Sequence, residues 1–139
     1  HPLFTEEFVL VRPEAATAKP APPAELLREM RLLLLEEGHC FREQALSFCK
    51  MSTPRPRDLM EASSLSTLVQ MVGAGIGVTL IPEMAIGTEA RTSAVSIARL
   101  QEPRPTRTIG LVWRKTNPLG RQFVKLAAIL KAVVPAASR

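Results

Sequence analysis

The amino-acid sequence predicts an α/β fold, on three observations. Short apolar runs that suit buried strands alternate with segments of helical periodicity, which is typical of α/β domains with a largely parallel sheet. The 139 residues are 46% hydrophobic and 22% charged, a composition that can build a core and is unlike that of a disordered chain. No apolar run approaches the roughly 20 residues that span a bilayer, and no secretory signal opens the sequence. We therefore expect an intracellular protein with no membrane partner.

The elements of the first 50 residues follow from short runs and their boundaries. Residues 32–35 (LLLL) are too short for a helix and are bounded by charge, so they suit a buried strand. Gly38 can turn the chain before helical composition resumes. The predicted order is a strand at 8–11, a proline-rich and alanine-rich loop at 12–23, a short helix at 24–30, the strand at 32–35 and a helix at 41–49.

The second half of the chain contains two segments with clear helical periodicity. The first has one apolar face at i, i+3, i+4 and i+7, a suitable N-cap in Ser64, and glycines at 73 and 75 that can end it; the face is Leu65, Leu68, Val69 and Val72. The second carries Phe123, Leu126, Ala127, Leu130 and Val134 on one face and is closed by Pro135. The remaining predictions are an irregular connection at 52–58 and strands at 77–81, 95–100 and 109–113.

The net charge of +5 does not by itself indicate a nucleic-acid surface. The arginines are scattered among acidic residues and prolines, and the aromatic residues are five Phe and one Trp. No interleaved basic and aromatic platform for nucleotide stacking is present in the sequence. We interpret the basic residues as a solvated surface.

The candidate site is the segment GHCFREQALSFC, residues 38–49, which holds both cysteines. A zinc site needs three or four ligands at close spacing, and only His39 and the distant His1 could join the cysteines, so no metal is expected. A hydrolase is disfavoured because no histidine follows to act as a base. The glycines at 73, 75 and 77 follow a helix and precede a strand, the wrong order for a dinucleotide site, so no cofactor is expected.

A redox role and a plain buried-thiol role both remain open for these cysteines. Cys40 is predicted to lie where a loop enters a helix, a position that favours a thiolate, and Arg42 could add to that effect. If 41–49 is helical, about 13 Å of helix rise separates Cys40 from Cys49, whereas a disulfide tolerates about 7 Å between Cα atoms. A bond between them would therefore require the helix to unwind. The alternative is that Cys49, after Leu46 and Phe48, is an ordinary buried thiol.

The same segment, with its second cysteine nine residues after the first, resembles the sensing segment of the OxyR-like peroxide sensors, which are LysR-type transcriptional regulators. SLSTLVQMVGAGIGVTLIP, residues 64–82, is similar to LysR-type effector domains generally. PTRTIGLVWRKTNPLGRQF, residues 105–123, is similar to the return strand and last helix of OxyR. The resemblance implies a periplasmic-binding-protein-like (type II) α/β fold, with a nearly complete second lobe and a remnant of the first. Its expected parts are a crossing strand at 1–12, the second lobe at 13–107, and a return strand and helix of the first lobe at 108–139.

The resemblance also implies the roles of individual residues. Cys40 is expected to react with hydrogen peroxide and Cys49 to resolve it into a disulfide. Gly38 and His39 are expected to shape the peroxide pocket, and Arg107 to stabilise the Cys40 thiolate. The implied protein is a cytoplasmic transcription activator, not an enzyme, without a cofactor. It is expected to form a homodimer or homotetramer, and to bind DNA through a domain absent from this chain and also RNA polymerase.

Two alternatives of other classes stay open. The chain could be a LysR-type effector domain that binds a small organic ligand, with incidental cysteines. It could also be a thiol peroxidase that turns over peroxide.

Overall fold

The computed structural model describes residues 1–50, 60–91 and 93–133. The chain divides into two compact units. The first unit comprises His1–Glu7 and Thr106–Arg139, and the second unit comprises Phe8–Pro105. The lobe boundaries expected from the resemblance remain a prediction. The predicted irregular connection at 52–58 lies outside the described residues.

The first strand, β1 (Pro2–Pro13), contributes its beginning to the first unit and its apolar end to the second. The predicted strand at 8–11 is the buried centre of this longer strand, since each of its four side chains is at most 1% exposed. β1 runs on to Pro13, so the predicted loop at 12–23 was wrong in its first two residues. The loop itself contains one 3-10 turn, Glu14–Ala16, and the helix expected at 24–30 is a 3-10 helix, Ala24–Glu29.

The second unit contains four more strands and three helices among its described residues. In chain order these are β2 (Leu33–Leu35), α1 (Cys40–Phe48), β3 (Met60–Ala62), α2 (Leu65–Gly73), β4 (Thr79–Pro82), α3 (Ile86–Glu89) and β5 (Val95–Arg99). The strands predicted at 32–35, 77–81 and 95–100 correspond to β2, β4 and β5 within two residues at each end. The α/β composition is confirmed.

The expectation of a largely parallel sheet was wrong. β1 pairs antiparallel with both β4 and β5, at Leu10↔Leu80 and Leu10↔Ala98 for example. In the described part of the chain, parallel pairing joins β2 to β3 and also Leu32 to Val78 just before β4. An apolar run records that a strand is buried, but the direction of the strand depends on the path of the connections, which the run does not contain.

Gly77 marks a close approach of two backbone segments beside this parallel bridge. A Cβ atom at Gly77 would lie 2.3 Å from the carbonyl oxygen of Arg31. The approach is held by the amide of Val78, which donates to the same Arg31 carbonyl at 2.9 Å. A glycine is therefore required here by space.

The helix α2 agrees with the sequence in detail. The Ser64 side chain accepts a hydrogen bond from the amide of Thr67 at 3.2 Å, as an N-cap does, and the helix ends at Gly73. Leu68, Val69 and Val72 are 0% exposed, so the predicted apolar face is the buried face.

The first unit adds β6 (Thr106–Gly110) and α4 (Gly120–Val133). β6 pairs antiparallel with the first half of β1, at Phe4↔Ile109 and Glu6↔Arg107. The strand predicted at 109–113 was wrong by three residues, because the polar residues 106–108 find a partner strand, and Val112 is 95% exposed. On α4, Ala127 is fully buried, and Val134 and Pro135 lie outside the described residues. None of the helices in the described ranges is both long and apolar enough to cross a membrane.

Candidate functional site

A tight turn directly precedes α1. The amide of His39 donates to the carbonyl of Glu36 at 3.4 Å, and Gly38 between them has φ +96. A positive φ at the third residue of such a turn is the position that type II turns reserve for glycine. Gly38 and His39 are both exposed. The structure therefore places the two pocket residues expected from the resemblance at the entrance to the helix.

Cys40 is the first residue of α1 and is exposed. His39 takes the N-cap position in an extended conformation, with no hydrogen bond from its side chain to the helix. The first amides of a helix lack intrahelical acceptors, and the macrodipole is positive at this end. Cys40 is thus accessible at the end of the helix where negative charge is stabilised.

Cys49 lies at the opposite end of α1 in a different environment. It is 0% exposed, and its amide donates to the carbonyl of Ala45 at 3.2 Å. Burial raises the pKa of the Cys49 thiol to about 11, and the negative charge of Glu25 adds to the effect. Near neutral pH this sulfur is a protonated thiol, which is a poor nucleophile where it stands.

The helix keeps the two sulfur atoms apart. Nine residues at about 1.5 Å and about 100° each place Cys49 about 13 Å along the axis from Cys40 and on the opposite side. The exposures of the two residues agree with this, since one is exposed and the other buried. A disulfide needs Cα atoms within about 7 Å, so a bond between Cys40 and Cys49 requires α1 to come apart. The structure therefore agrees with the prediction that an intact helix at this position excludes a Cys40–Cys49 disulfide.

Aromatic contacts hold α1 against β1. The ring of Phe8 lies 5.3 Å from that of Phe41 and 4.8 Å from that of Phe48, measured between centroids. Phe8 is fully buried. Both ends of the helix thus pack on one side chain of the central strand, and unwinding α1 must disrupt these contacts.

Arg42 makes two contacts that the sequence did not predict. The residue is 8% exposed, and its Nη1 donates to the carbonyl of Leu35 at 2.8 Å and pairs with the carboxylate of Glu61. Arg42 thus anchors α1 to Leu35 and Glu61, and its expected support of the Cys40 thiolate stays a prediction. Sequence reasoning missed Glu61, and the signal that could have found it is a charged Arg42 on the face that Phe41 and Ala45 bury.

Arg107 lies in the first unit, on β6. Its Nε and Nη2 both donate to Oε1 of Glu6, each at 2.8 Å. The Glu6 side chain is 0% exposed and that of Arg107 is 19% exposed. The structure therefore brings Cys40, Cys49, His39 and Gly38 onto one turn and helix, and pairs Arg107 with Glu6. The expected action of Arg107 on Cys40 stays a prediction.

The metal-ligating residues do not assemble. Within the three described ranges, no group of three or more His, Cys, Asp or Glu side chains could hold a metal ion. Residues 38–49 carry both thiols of the chain.

Proteins similar to this chain in sequence and fold include bacterial regulators. Residues 1–135 match the LysR substrate binding domain. A "probable hydrogen peroxide-inducible genes activator" of Mycobacterium avium is 40% identical over 136 residues, 96% of this chain and 44% of that protein. The reduced OxyR regulatory domain from Pseudomonas aeruginosa is 35% identical with a TM-score of 0.76, over 95% of this chain and 64% of that one. An oxidized form of OxyR is 38% identical with a TM-score of 0.75, over 95% of this chain and 63% of that one.

These likenesses confirm the α/β, periplasmic-binding-protein-like (type II) fold class. This chain spans fewer than half of the residues of the M. avium relative, at 44%. The chain belongs to the LysR substrate binding domain family, and the three relatives described above are a probable hydrogen peroxide-inducible genes activator and two forms of OxyR.

Proposed function

We propose that this chain is the hydrogen peroxide-sensing regulatory region of a LysR-type transcriptional regulator of the OxyR kind. The observation that carries the proposal is the placement of two cysteines at opposite ends of one nine-residue helix, one exposed and one buried. A helix that separates two thiols, and must unfold for them to join, couples a chemical event to a change of conformation. Solved OxyR structures in reduced and oxidized forms lend support.

The chemistry requires two steps and one peroxide molecule. The Cys40 thiolate attacks one oxygen of hydrogen peroxide, the O–O bond breaks, and hydroxide leaves and takes up a proton to become water. The sulfur is oxidised to a sulfenic acid while the peroxide is reduced. The Cys49 thiol then displaces the sulfenic oxygen, so an S–S bond forms and a second water leaves. The second step needs Cys49 to leave its buried position, because α1 places it about 13 Å along the axis from Cys40, beyond the reach of a disulfide. Burial also raises the pKa of the Cys49 thiol.

Other residues serve the first step. Gly38 and His39 form the turn beside Cys40 and shape the approach of the peroxide. For Arg107, the role of stabilising the thiolate is supported by the resemblance of residues 105–123 alone. A thiol-disulfide exchange system returns the disulfide to two thiols and resets the sensor. A sensor differs from a thiol peroxidase in that it does not consume many peroxide molecules per chain.

The effect on transcription requires the longer protein of which this chain is proposed to be a part. Unfolding of α1 changes how subunits pack in a homodimer or homotetramer, and this alters how a separate domain binds DNA and recruits RNA polymerase. The protein acts in the cytoplasm, where the DNA is. The M. avium relative is named as a probable hydrogen peroxide-inducible genes activator, which supports this part of the proposal.

The test is a peroxide titration of the fully reduced protein. Alkylation and mass spectrometry at each point map the state of both thiols. We expect a Cys40–Cys49 disulfide at near-stoichiometric peroxide, no disulfide in Cys40→Ser, and a sulfenic acid trapped by dimedone in Cys49→Ser. Both thiols remaining reduced, in this chain and in the full-length protein, contradict the proposal and favour an effector domain for an organic ligand. Many turnovers of peroxide per chain with a reductant favour a thiol peroxidase.

A further inference from the structure

Arg42 forms the one described ion pair that ties the helix between the cysteines to the sheet. It is the third residue of α1, and its guanidinium lies inside the second unit. It contacts the last residue of β2 through the Leu35 carbonyl, and β3 through the Glu61 carboxylate. The side chains of Arg42 and Glu61 are 10% and 27% exposed. The contact therefore joins the beginning of α1 to two parallel strands.

A buried guanidinium needs this partner more than a surface one does. Removing one member of a buried ion pair leaves an uncompensated charge, which costs more than the loss of an exposed pair. The cost falls on any conformation in which Arg42 stays buried. It is absent from a conformation in which Arg42 reaches water.

The two redox states differ in this respect. In the dithiol form, α1 is intact and places Arg42 against Leu35 and Glu61. In the disulfide form, α1 cannot persist between Cys40 and Cys49, and Arg42 lies between them. The helix geometry that presents the guanidinium to Glu61 is then lost.

We infer that the Arg42–Glu61 ion pair is a latch specific to the dithiol state, and that it sets the reduction potential of the Cys40–Cys49 couple. This inference rests on the proposed function, because it assigns a device to the same switch. Glu61 is a positioning residue that acts through Arg42 and touches neither sulfur in the reaction. Weakening the latch destabilises the dithiol form alone, so the equilibrium moves toward the disulfide.

The test is Glu61→Gln, which removes one charge and keeps the shape of the side chain. The control is Glu83→Gln, which breaks another ion pair of the second unit, with Arg99 on β5. Each protein is equilibrated in buffers that contain reduced and oxidised glutathione. In this equilibrium the protein dithiol reacts with one glutathione disulfide, and the products are the protein disulfide and two molecules of reduced glutathione. We expect the equilibrium constant for disulfide formation to rise about tenfold in Glu61→Gln, a shift of about −30 mV, and to stay unchanged in the control.

A second measurement separates a latch from a general loss of stability. Denaturant unfolding is followed for the dithiol and disulfide forms of each variant. A latch lowers the unfolding midpoint of the dithiol form of Glu61→Gln and leaves that of the disulfide form unchanged. Equal losses in both forms, together with an unchanged glutathione equilibrium, overturn the inference. Arg42→Lys, which keeps the charge and loses the planar donor group, should shift the equilibrium in the same direction and serves if Glu61→Gln does not fold.

The two proposals fail in different ways. Glutathione disulfide can form the protein disulfide without peroxide, so the latch is tested even where peroxide does not react. A chain that forms the disulfide with peroxide but shows no shift in Glu61→Gln refutes the latch and leaves the sensor intact. In Cys49→Ser, Glu61→Gln should leave the rate of Cys40 oxidation unchanged, because the latch acts on the conformational step.

Discussion

The reduced protein should lose stability at high pH because Cys49 is buried as a thiol. The pKa of Cys49 rises from 9.0 to about 11 on folding, so the folded state binds this proton more tightly than the unfolded state. The stabilising contribution is complete below pH 9 and is lost as the pH rises through about 11. At pH 10 the unfolded thiol is mostly ionised and the folded one is not, so the free energy of unfolding falls by about 1.4 kcal/mol, and the loss approaches about 3 kcal/mol above pH 11.

The assay is urea unfolding of the reduced protein at pH 7 and pH 10, compared with Cys49→Ala. Both proteins carry Cys40→Ser, so that no disulfide can form. Lysine titration and other alkaline effects are common to the two, and the difference between them isolates Cys49. We expect wild-type Cys49 to lose about 1.4 kcal/mol more than Cys49→Ala over this pH range. An equal loss in both proteins would falsify the assignment of a raised pKa to Cys49.

Three further predictions concern the scaffold of the site. Ser64→Ala removes the side-chain N-cap of α2 and should lower stability by about 1 kcal/mol in thermal unfolding. Gly77→Ala brings a Cβ atom to 2.3 Å from the Arg31 carbonyl oxygen and should destabilise the protein by more than about 2 kcal/mol. The control is Gly87→Ala, whose Cβ atom meets open space, and it should be neutral or stabilising. Equal effects of the two substitutions would contradict the close approach at Gly77. Phe8→Leu removes the ring that contacts both aromatic residues of α1 and should cost about 1–3 kcal/mol in urea unfolding, while unchanged stability would show that these contacts contribute little.

The local features of this chain could be predicted from the sequence alone. The apolar spacing and the Ser64 cap predicted α2, and the composition of residues 41–49 predicted α1 to within one residue at each end. These features depend on side chains a few positions apart, where periodicity and capping act directly. The separation of Cys40 from Cys49 by a helix followed from the same local information.

The wrong predictions concern strand pairing, which depends on residues far apart in the sequence. The direction of the strands beside β1 was wrong because an apolar run is the same whichever way the strand points. The strand at 109–113 was misplaced because an apolar run was chosen over the polar residues 106–108, which β1 pairs. In the first case the missing information was the path of the connections, and in the second it was the identity of the neighbouring strand.

The local sequence thus determined that two thiols flank a helix, since helix formation and spacing are properties of neighbouring residues. The tertiary structure decided which charges meet across the fold. Arg42 pairs with Glu61, 19 positions away, and Arg107 with Glu6, 101 positions away. The burial of Cys49 and the rise of its pKa also depend on distant elements, including Glu25. Such partners are brought together only by the path of the chain, and no local pattern records that path.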